Sequence, residues 1–380
     1  MIYLDNGATT WPKPHSVLRE MGRCQRKYAA NPGRGGHDMA IRAGEIVYEC
    51  RDAVQNFFGV SSAQNVIFTS NATHALNIAI KGIAGQGGHV VLTSMEHNSV
   101  LRPVHCTDGV SYDMVTADNM GYTSPEDMEE AIRPQTCLII CTAASNVCGS
   151  VQQYREIASV AKKHGIPFLL DASQGAGVMD INMAADGIDL LAAPGHKGLY
   201  GPMGTGVLCV NSDCALPPLT EGGTGSRSKE RTQPDELPDK LESGTLNVPG
   251  ISGLLRGVQF VSSFGKNEIR RKEEYLCNIL AEDLLSIKGI HTAGYDKSRE
   301  RIGVLSVYFD SMECVQMSSR LNDEYGIAVR AGYHCAYTAH ETIGTQNSGT
   351  VRFSLGVFNT VQDVKEAAYA VNMILKRPNM

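Results

Sequence analysis

Residues 166–202 read IPFLLDASQGAGVMDINMAADGIDLLAAPGHKGLYGP. Two apolar runs, 166–171 and 188–192, each end in a polar or glycine-rich turn. Neither run alternates polar with apolar residues, as a half-exposed strand would. Continuous apolar strands are buried on both faces, and such strands belong to a mostly parallel sheet covered by helices. Asp171 then ends one strand, and Gly195-His196-Lys197 follows another. Ligands of open α/β sheets sit at that carboxyl edge.

The same pattern extends outward. Strands are expected at 65–69 (NVIFT), 89–93 (HVVLT), 110–115, 137–142 (CLIICT) and 206–210, with helices at 73–84, 124–132 and 153–164. Ser124-Pro125 is a helix start, a capping serine with proline in the first turn. These elements make a large α/β domain over residues 15–260. The tract 217–238, rich in glycine, proline and mixed charge, reads as an exposed loop. Beyond it come a charged helix at 266–286, strands at 304–309 and 350–354, and helices near 315–325 and 361–375. They form a smaller α/β domain, 261–380 joined by residues 1–14.

The chain has 380 residues, 34 Lys+Arg against 40 Asp+Glu and a net charge of -6, so a nucleic-acid binder with a basic face is not expected. No apolar run approaches membrane-spanning length and no signal peptide is evident. Eleven cysteines without a secretion signal read as thiols of a cytoplasmic protein. There is no C-x-x-C pair and no phosphate-binding P-loop motif, and no metal is expected.

Lys197 among small residues is costly to bury unless its charge is used or shed; desolvation depresses its pKa and suits it to Schiff-base chemistry, while the bland reading is a solvated lysine in a glycine-rich turn. Asp171 can pair with a pyridinium nitrogen, or simply cap the next helix. Gln174 lies one turn on. Thr69-Ser70-Asn71-Ala72-Thr73-His74 places small and hydroxyl residues at a helix N-terminus, which serves as a cap or as a phosphate site. His97, after a strand, can stack on an aromatic ring. Cys335, with Arg330 and His334 nearby in a glycine-containing loop, is the thiol in a polar, mobile-looking setting. Cys137 and Cys141 are expected on one strand face with Ile139, as small core residues. Arg352 inside an apolar strand needs an anion, either a substrate carboxylate or an internal acid.

Together these motifs resemble the class V aminotransferase family of pyridoxal-phosphate enzymes, and within it the cysteine desulfurases. The resemblance runs from Tyr3-Leu4-Asp5-Asn6 through Glu96-His97-Asn98, Ser145-Asn146, Asp171-Ala172-Ser173-Gln174 and Gly195-His196-Lys197. It continues to Glu242-Ser243-Gly244-Thr245, Arg330 to Cys335, and Val351-Arg352-Phe353-Ser354. The Cys335 spacing is similar to the group II enzymes, which include selenocysteine lyases, whereas the string after Val351 is closer to group I.

The resemblance implies fold type I of the pyridoxal-phosphate transferases, with pyridoxal 5'-phosphate as cofactor, Lys197 as its Schiff-base lysine and His97 stacked on its ring. Asp171 would meet the ring nitrogen, Gln174 the phenolic oxygen, and Asn146 the ring and substrate. Ala72, Thr73 and His196 would bind the phosphate, completed by Gly244 and Thr245 of a second subunit in a homodimer. Arg330 and Arg352 would hold the substrate carboxylate, and Cys335 would be the nucleophile. The implied reaction converts L-cysteine to L-alanine with a persulfide on Cys335, passed to a sulfur-acceptor protein. Selenocysteine lyase, another C–S lyase, a true aminotransferase and a non-catalytic sulfur-transfer scaffold are the alternatives. Pro194, where the family often has serine or threonine, and Gly198, an apparent insertion, depart from the pattern.

Overall fold

The computed structural model describes residues 1–32, 35–211 and 216–377. The chain starts with β1 (Ile2–Tyr3), α1 (His15–Lys27) and α2 (Asp38–Phe58). An alternating series follows: β2 (Val66–Thr69), α3 (Ala72–Ala84), β3 (Gly88–Thr93), α4 (Asn98–His105), β4 (Val110–Val115), α5 (Pro125–Glu130), β5 (Thr136–Thr142) and α6 (Tyr154–Lys163). It closes with β6 (Phe168–Asp171), α7 (Met183–Asp186), β7 (Leu190–Pro194) and β8 (Gly206–Val210). The remainder is α8 (Val248–Phe264), α9 (Lys266–Leu285), β9 (Ile290–Thr292), β10 (Val304–Phe309), α10 (Cys314–Tyr325), β11 (Ile327–Ala328), β12 (Arg330–Gly332), α11 (Tyr337–Thr342), β13 (Thr350–Ser354) and α12 (Val361–Leu375).

Strands β2 to β8 form one sheet in the order β2-β8-β7-β6-β5-β3-β4, in which β8 alone runs against the others. Every residue of β2, β6, β7 and β8 is buried, which is why these strands read as unbroken apolar runs. Edge strand β4 is different and exposes Ser111 and Tyr112. One core layer joins Ile139, Phe168, Leu170 and Leu191 to α2, α6 and α8; the other joins Leu138, Ile140, Leu169 and Leu190 to α3. A separate core packs β10, β13, α9, α10 and α12.

Cys137 leaves the face expected for it. The β3–β5 register shifts between His89 and Val90, and Cys137 packs with the Leu138 and Ile140 layer while Ile139 and Cys141 face the other way. Such an irregularity breaks the two-residue period of a strand.

The first ten residues strap the two cores together. β1 pairs with β11, and Asp5 bridges Ser354 at the end of β13. Thr10 Oγ1 donates to the carbonyl of Lys197, at 3.0 Å. No helix among the described residues is long and apolar enough to cross a membrane.

Candidate active site

The carboxyl ends of β2, β3, β5, β6 and β7 open on one cavity of about 220 Å³. Lys197 lies on its floor, part-buried, with no hydrogen bond to Nζ among the described residues. Burial pushes its amine down to about 8; Asp171 opposes the shift, and Arg352 and Arg330 add to it. Asp171 ends β6, and its Oδ1 accepts from Ser173 N at 2.9 Å, so it caps a turn and still lines the cavity. Gln174 donates to the Gly7 carbonyl at 3.0 Å, which fixes its amide against the strap.

Gly198 has a steric reason to be glycine. A Cβ there would meet the Ala176 carbonyl oxygen at 2.0 Å, and one on Gly177 would meet the Gly198 oxygen at 2.0 Å. Two glycines thus let the lysine loop press backbone to backbone on the turn that carries Gln174. Pro194 ends β7 and lines the cavity without a donor.

At another wall Asn71 caps α3, accepting from His74 N at 2.9 Å, so Ala72 and Thr73 present a helix N-terminus to the cavity. His196 lies beside them. Its Nδ1 is buried without a partner among the described residues, and burial holds its pKa down to about 4. Lys13, which carries no motif in the sequence, donates to the His196 carbonyl at 2.6 Å and to Thr10 Oγ1 at 2.7 Å.

His97 is the N-cap of α4, and its Nδ1 accepts from Ser99 N at 3.0 Å. A ring that accepts at Nδ1 carries its proton on Nε2. Burial depresses its pKa to about 4, against Asp171 and with Lys197, Arg330 and Arg352, so the ring is neutral at pH 7. Glu96 lies directly behind, wholly buried. Its Oε1 accepts from Thr93 Oγ1 and Thr142 N, both at 2.7 Å, tying the ends of β3 and β5 together. Burial, aided by Asp171, raises its pKa to about 8.

Arg352 is 1% exposed and answers both readings of its need for an anion. Nη2 donates to Asp5 Oδ1 and Nη1 to the Asn146 carbonyl, each at 2.9 Å, while Nε has no partner among the described residues. Arg330 stands directly opposite in the β12–β13 register. Two like charges face to face repel, and an anion placed between them relieves the repulsion. Asp5 supplies only part of that charge.

Cys335 is exposed beside the cavity-lining residues Arg330 and His334, with Arg330 Nη2 at 3.4 Å from its sulfur. Two expectations about this loop change. It is pinned: Asn146 Nδ2 donates to the His334 carbonyl at 2.7 Å and Asn98 N to the Cys335 carbonyl at 2.8 Å. These tethers hold His334 and Cys335 at φ of 50° and 59°, a left-handed backbone that costs about 1–2 kcal/mol per residue. His334 is also no cation beside the thiol. It is buried, its Nε2 is 2.9 Å from Thr350 Oγ1, and burial holds its pKa down to about 2. Of the other described cysteines, only Cys106 is exposed, and Cys214 lies outside the described residues.

Gly244 and Thr245 do not reach this cavity. Their turn is held by Glu242, buried in a two-pronged pair with Arg51 and accepting from Phe68 N on edge strand β2. Beyond that anchor Gly244 faces open space. Larger grooves exist elsewhere, such as one of about 530 Å³ at the opposite end of β6 and β7, but the convergent titratable groups are at the carboxyl ends. No cluster that could hold a metal occurs among the described residues.

The donor set suits a flat anionic aldehyde cofactor: a part-buried amine free of hydrogen bonds among the described residues, a carboxylate in the same cavity, a neutral histidine, and a helix N-terminus beside an unpartnered imidazole nitrogen. The comparisons with known proteins agree. The family model "Aminotransferase class-V" matches residues 2–366. A protein of Methanothermobacter thermautotrophicus named "Probable cysteine desulfurase" is 34% identical, the match covering 96% of this chain and 92% of that one. A second of that name from Pyrococcus abyssi is 31% identical over 96% and 92%. The solved apo structure of the cysteine desulfurase of Thermococcus onnurineus superposes with a TM-score of 0.92 at 31% identity, covering 99% of this chain and 94% of that one. On its fold and over nearly its whole length, the chain belongs to the class V aminotransferase family.

Proposed function

We propose that this protein is a cysteine desulfurase, converting L-cysteine to L-alanine and carrying the released sulfur as a persulfide on Cys335. One observation carries the reading: an exposed thiol touches Arg330, which lines a cavity that also holds a part-buried lysine, a carboxylate and an arginine with an unpartnered Nε. The family works with pyridoxal 5'-phosphate, which supplies an electron sink for bonds at the amino acid's Cα and Cβ. Lys197 would bond its aldehyde carbon, Asp171 its ring nitrogen and Gln174 its phenolic oxygen. His97 would cover the ring, and Ala72, Thr73 and His196 would hold the phosphate.

The chain's own groups then have distinct tasks. Arg352, with Arg330 opposite and Asn146 alongside, receives the substrate carboxylate. Lys197, its amine pushed to about 8, takes the Cα proton near neutral pH. His97 presents its Nε2 proton to the same space. The Cys335 thiolate, beside Arg330, attacks the substrate sulfur. An S–S bond forms as the Cβ–S bond breaks, and the bonding pair stays with the three-carbon fragment, which takes up protons to become alanine. His334, uncharged and turned to Thr350, has no part in moving those protons.

Gly244 and Thr245 would complete the phosphate site of a second copy, which makes the enzyme a homodimer. Exposed Trp11, Leu18, Ile41 and Tyr48 on the strap, α1 and α2 are apolar surface that such an interface would cover. The separate core around β10 and β13, which includes Leu4, supports the division into residues 15–260 and residues 1–14 with 261–380. Exposure of Cys335 supports delivery to a sulfur-acceptor protein, and unpaired thiols at every described cysteine fit a cytoplasmic setting.

The test is incubation of purified protein with L-cysteine, measuring alanine and mapping the persulfide by mass spectrometry. Lys197→Ala should lose the cofactor's lysine-linked absorbance. Cys335→Ser should keep it and lose persulfide transfer; full alanine and sulfide output from that variant would remove Cys335 from the mechanism. Comparing cysteine with selenocysteine in wild type and Cys335→Ala separates a desulfurase from a selenocysteine lyase.

A further inference from the structure

Ser99 lies between two groups that have separate tasks. Its Oγ is 2.9 Å from His97 Nδ1 and 2.8 Å from Thr73 Oγ1, and all three residues line the cavity. A continuous path therefore runs from the helix N-terminus of α3 to the imidazole: Thr73 hydroxyl, Ser99 hydroxyl, His97 Nδ1. Each hydroxyl has a single proton to give.

We propose that Ser99 is a positioning residue whose hydroxyl reports occupancy of the anion site at Thr73 to His97. With the anion site empty, Thr73 donates to Ser99 and Ser99 donates to Nδ1. Nδ1 is then a double acceptor, from Ser99 N and Ser99 Oγ, which favours the neutral ring. A phosphate dianion accepts only, so it claims the Thr73 proton. Thr73 must then accept from Ser99, and Ser99 turns a lone pair toward Nδ1. A donor that favoured the neutral imidazole becomes an acceptor, and the proton affinity of His97 rises. Filling the phosphate end thus prepares the ring end to hold a proton. No bond is made or broken; two hydroxyl protons rotate.

The charged groups facing His97 from other elements are Asp171 on β6, Lys197 after β7, Arg330 on β12 and Arg352 on β13. None of them lies on the hydroxyl path, so they set a background that a change at Ser99 leaves in place. The proposal rests on the reading of Thr73 as part of a phosphate site, and its test separates the two.

The experiment uses the full chain freed of cofactor, with inorganic phosphate as probe and His97 followed by nitrogen-15 NMR over pH. Without phosphate, Ser99→Ala should titrate at higher pH than wild type, because one donor to Nδ1 is gone. Saturating phosphate should raise the wild-type value more than the variant value, because direct attraction to the anion acts on both but the hydroxyl path acts on wild type alone. The two titrations should therefore cross, with Ser99→Ala above wild type before phosphate and below it after. Ser99→Thr should restore wild-type order. Phosphate that binds at Ala72 and Thr73 but moves both proteins equally would overturn the relay and leave the phosphate site standing. Phosphate that fails to perturb Ala72 or Thr73 would overturn the site and the relay with it.

Discussion

Glu96→Gln should make this protein more stable at alkaline pH, by an amount that its surroundings set. The Glu96 carboxyl is buried, and desolvation with Asp171 nearby raises its pKa from 4.5 to about 8. A raised carboxyl pKa means the folded chain holds a proton that the unfolded chain has released. Between pH 4.5 and 8 the native state therefore loses stability as pH rises, and the loss levels off above 8. Each tenfold difference in proton affinity is worth about 1.4 kcal/mol, so the full cost is roughly 5 kcal/mol, of which about 3 kcal/mol falls between about pH 6 and pH 9. Glutamine keeps the shape and the acceptor that Thr93 and Thr142 use, and it has no proton to lose. Urea unfolding of the cofactor-loaded wild type and Glu96→Gln at pH 6, 7.5 and 9 should give curves that diverge in the variant's favour. Adding Asp171→Asn to the wild type should narrow the divergence, because Asp171 is part of its cause. Parallel stability curves over that range would refute the claim that Glu96 is a carboxyl held neutral by burial.

Gly198→Ala should weaken cofactor binding by about fivefold or more in an absorbance titration while leaving the far-ultraviolet circular dichroism intact. The new Cβ meets a backbone carbonyl at 2.0 Å, and overpacking of this kind costs about 1–3 kcal/mol; unchanged binding would mean that the loop's contact with the Gln174 turn is idle. Arg51→Met should cost about 3–5 kcal/mol in thermal or urea unfolding, because it strands the buried Glu242 carboxylate, and adding Glu242→Gln should recover part of that loss. A larger loss in the double variant would show that the pair is not what holds the turn at Gly244.

The parallel sheet was legible because burial on both faces leaves its mark in consecutive residues. β5, β6, β7 and β8 are apolar runs that no surface strand would carry. Asp171, Lys197 and His97 were legible for a related reason: each lies at or just beyond the end of its strand, and topology alone takes them to the same edge. The properties of neighbours stayed hidden. Ser99 reads as an ordinary first-turn serine until Thr73 is seen 2.8 Å away. Arg352 could not choose between a substrate and an internal acid, and Asp5 shows that the internal acid is there while Nε stays free for more. His334 looked like a cation beside Cys335 because adjacency in sequence does not report that its ring is turned inward to Thr350. Cys137 was assigned to the wrong face because a register shift between β3 and β5 leaves no signature in either strand. Gly198 reads as an insertion, and the reason it must be glycine, its contact with Ala176 and Gly177 across the loop, leaves no mark in the sequence.

The contact between Asp5 and Arg352 joins residues 347 positions apart. During synthesis at roughly 5–20 residues per second, the N-terminal strap must wait on the order of tens of seconds for β13. The sheet carrying Asp171 and Lys197 can be complete well before then, since its last strand ends at Val210. The clamp therefore cannot close until β13 has been made, long after the last strand of the large sheet. In the finished protein the strap carries both Asp5 of the clamp and Thr10, which holds the lysine loop. Because Thr10 of the same strap also holds the Lys197 carbonyl, opening the strap would loosen the carboxylate clamp and the lysine loop together.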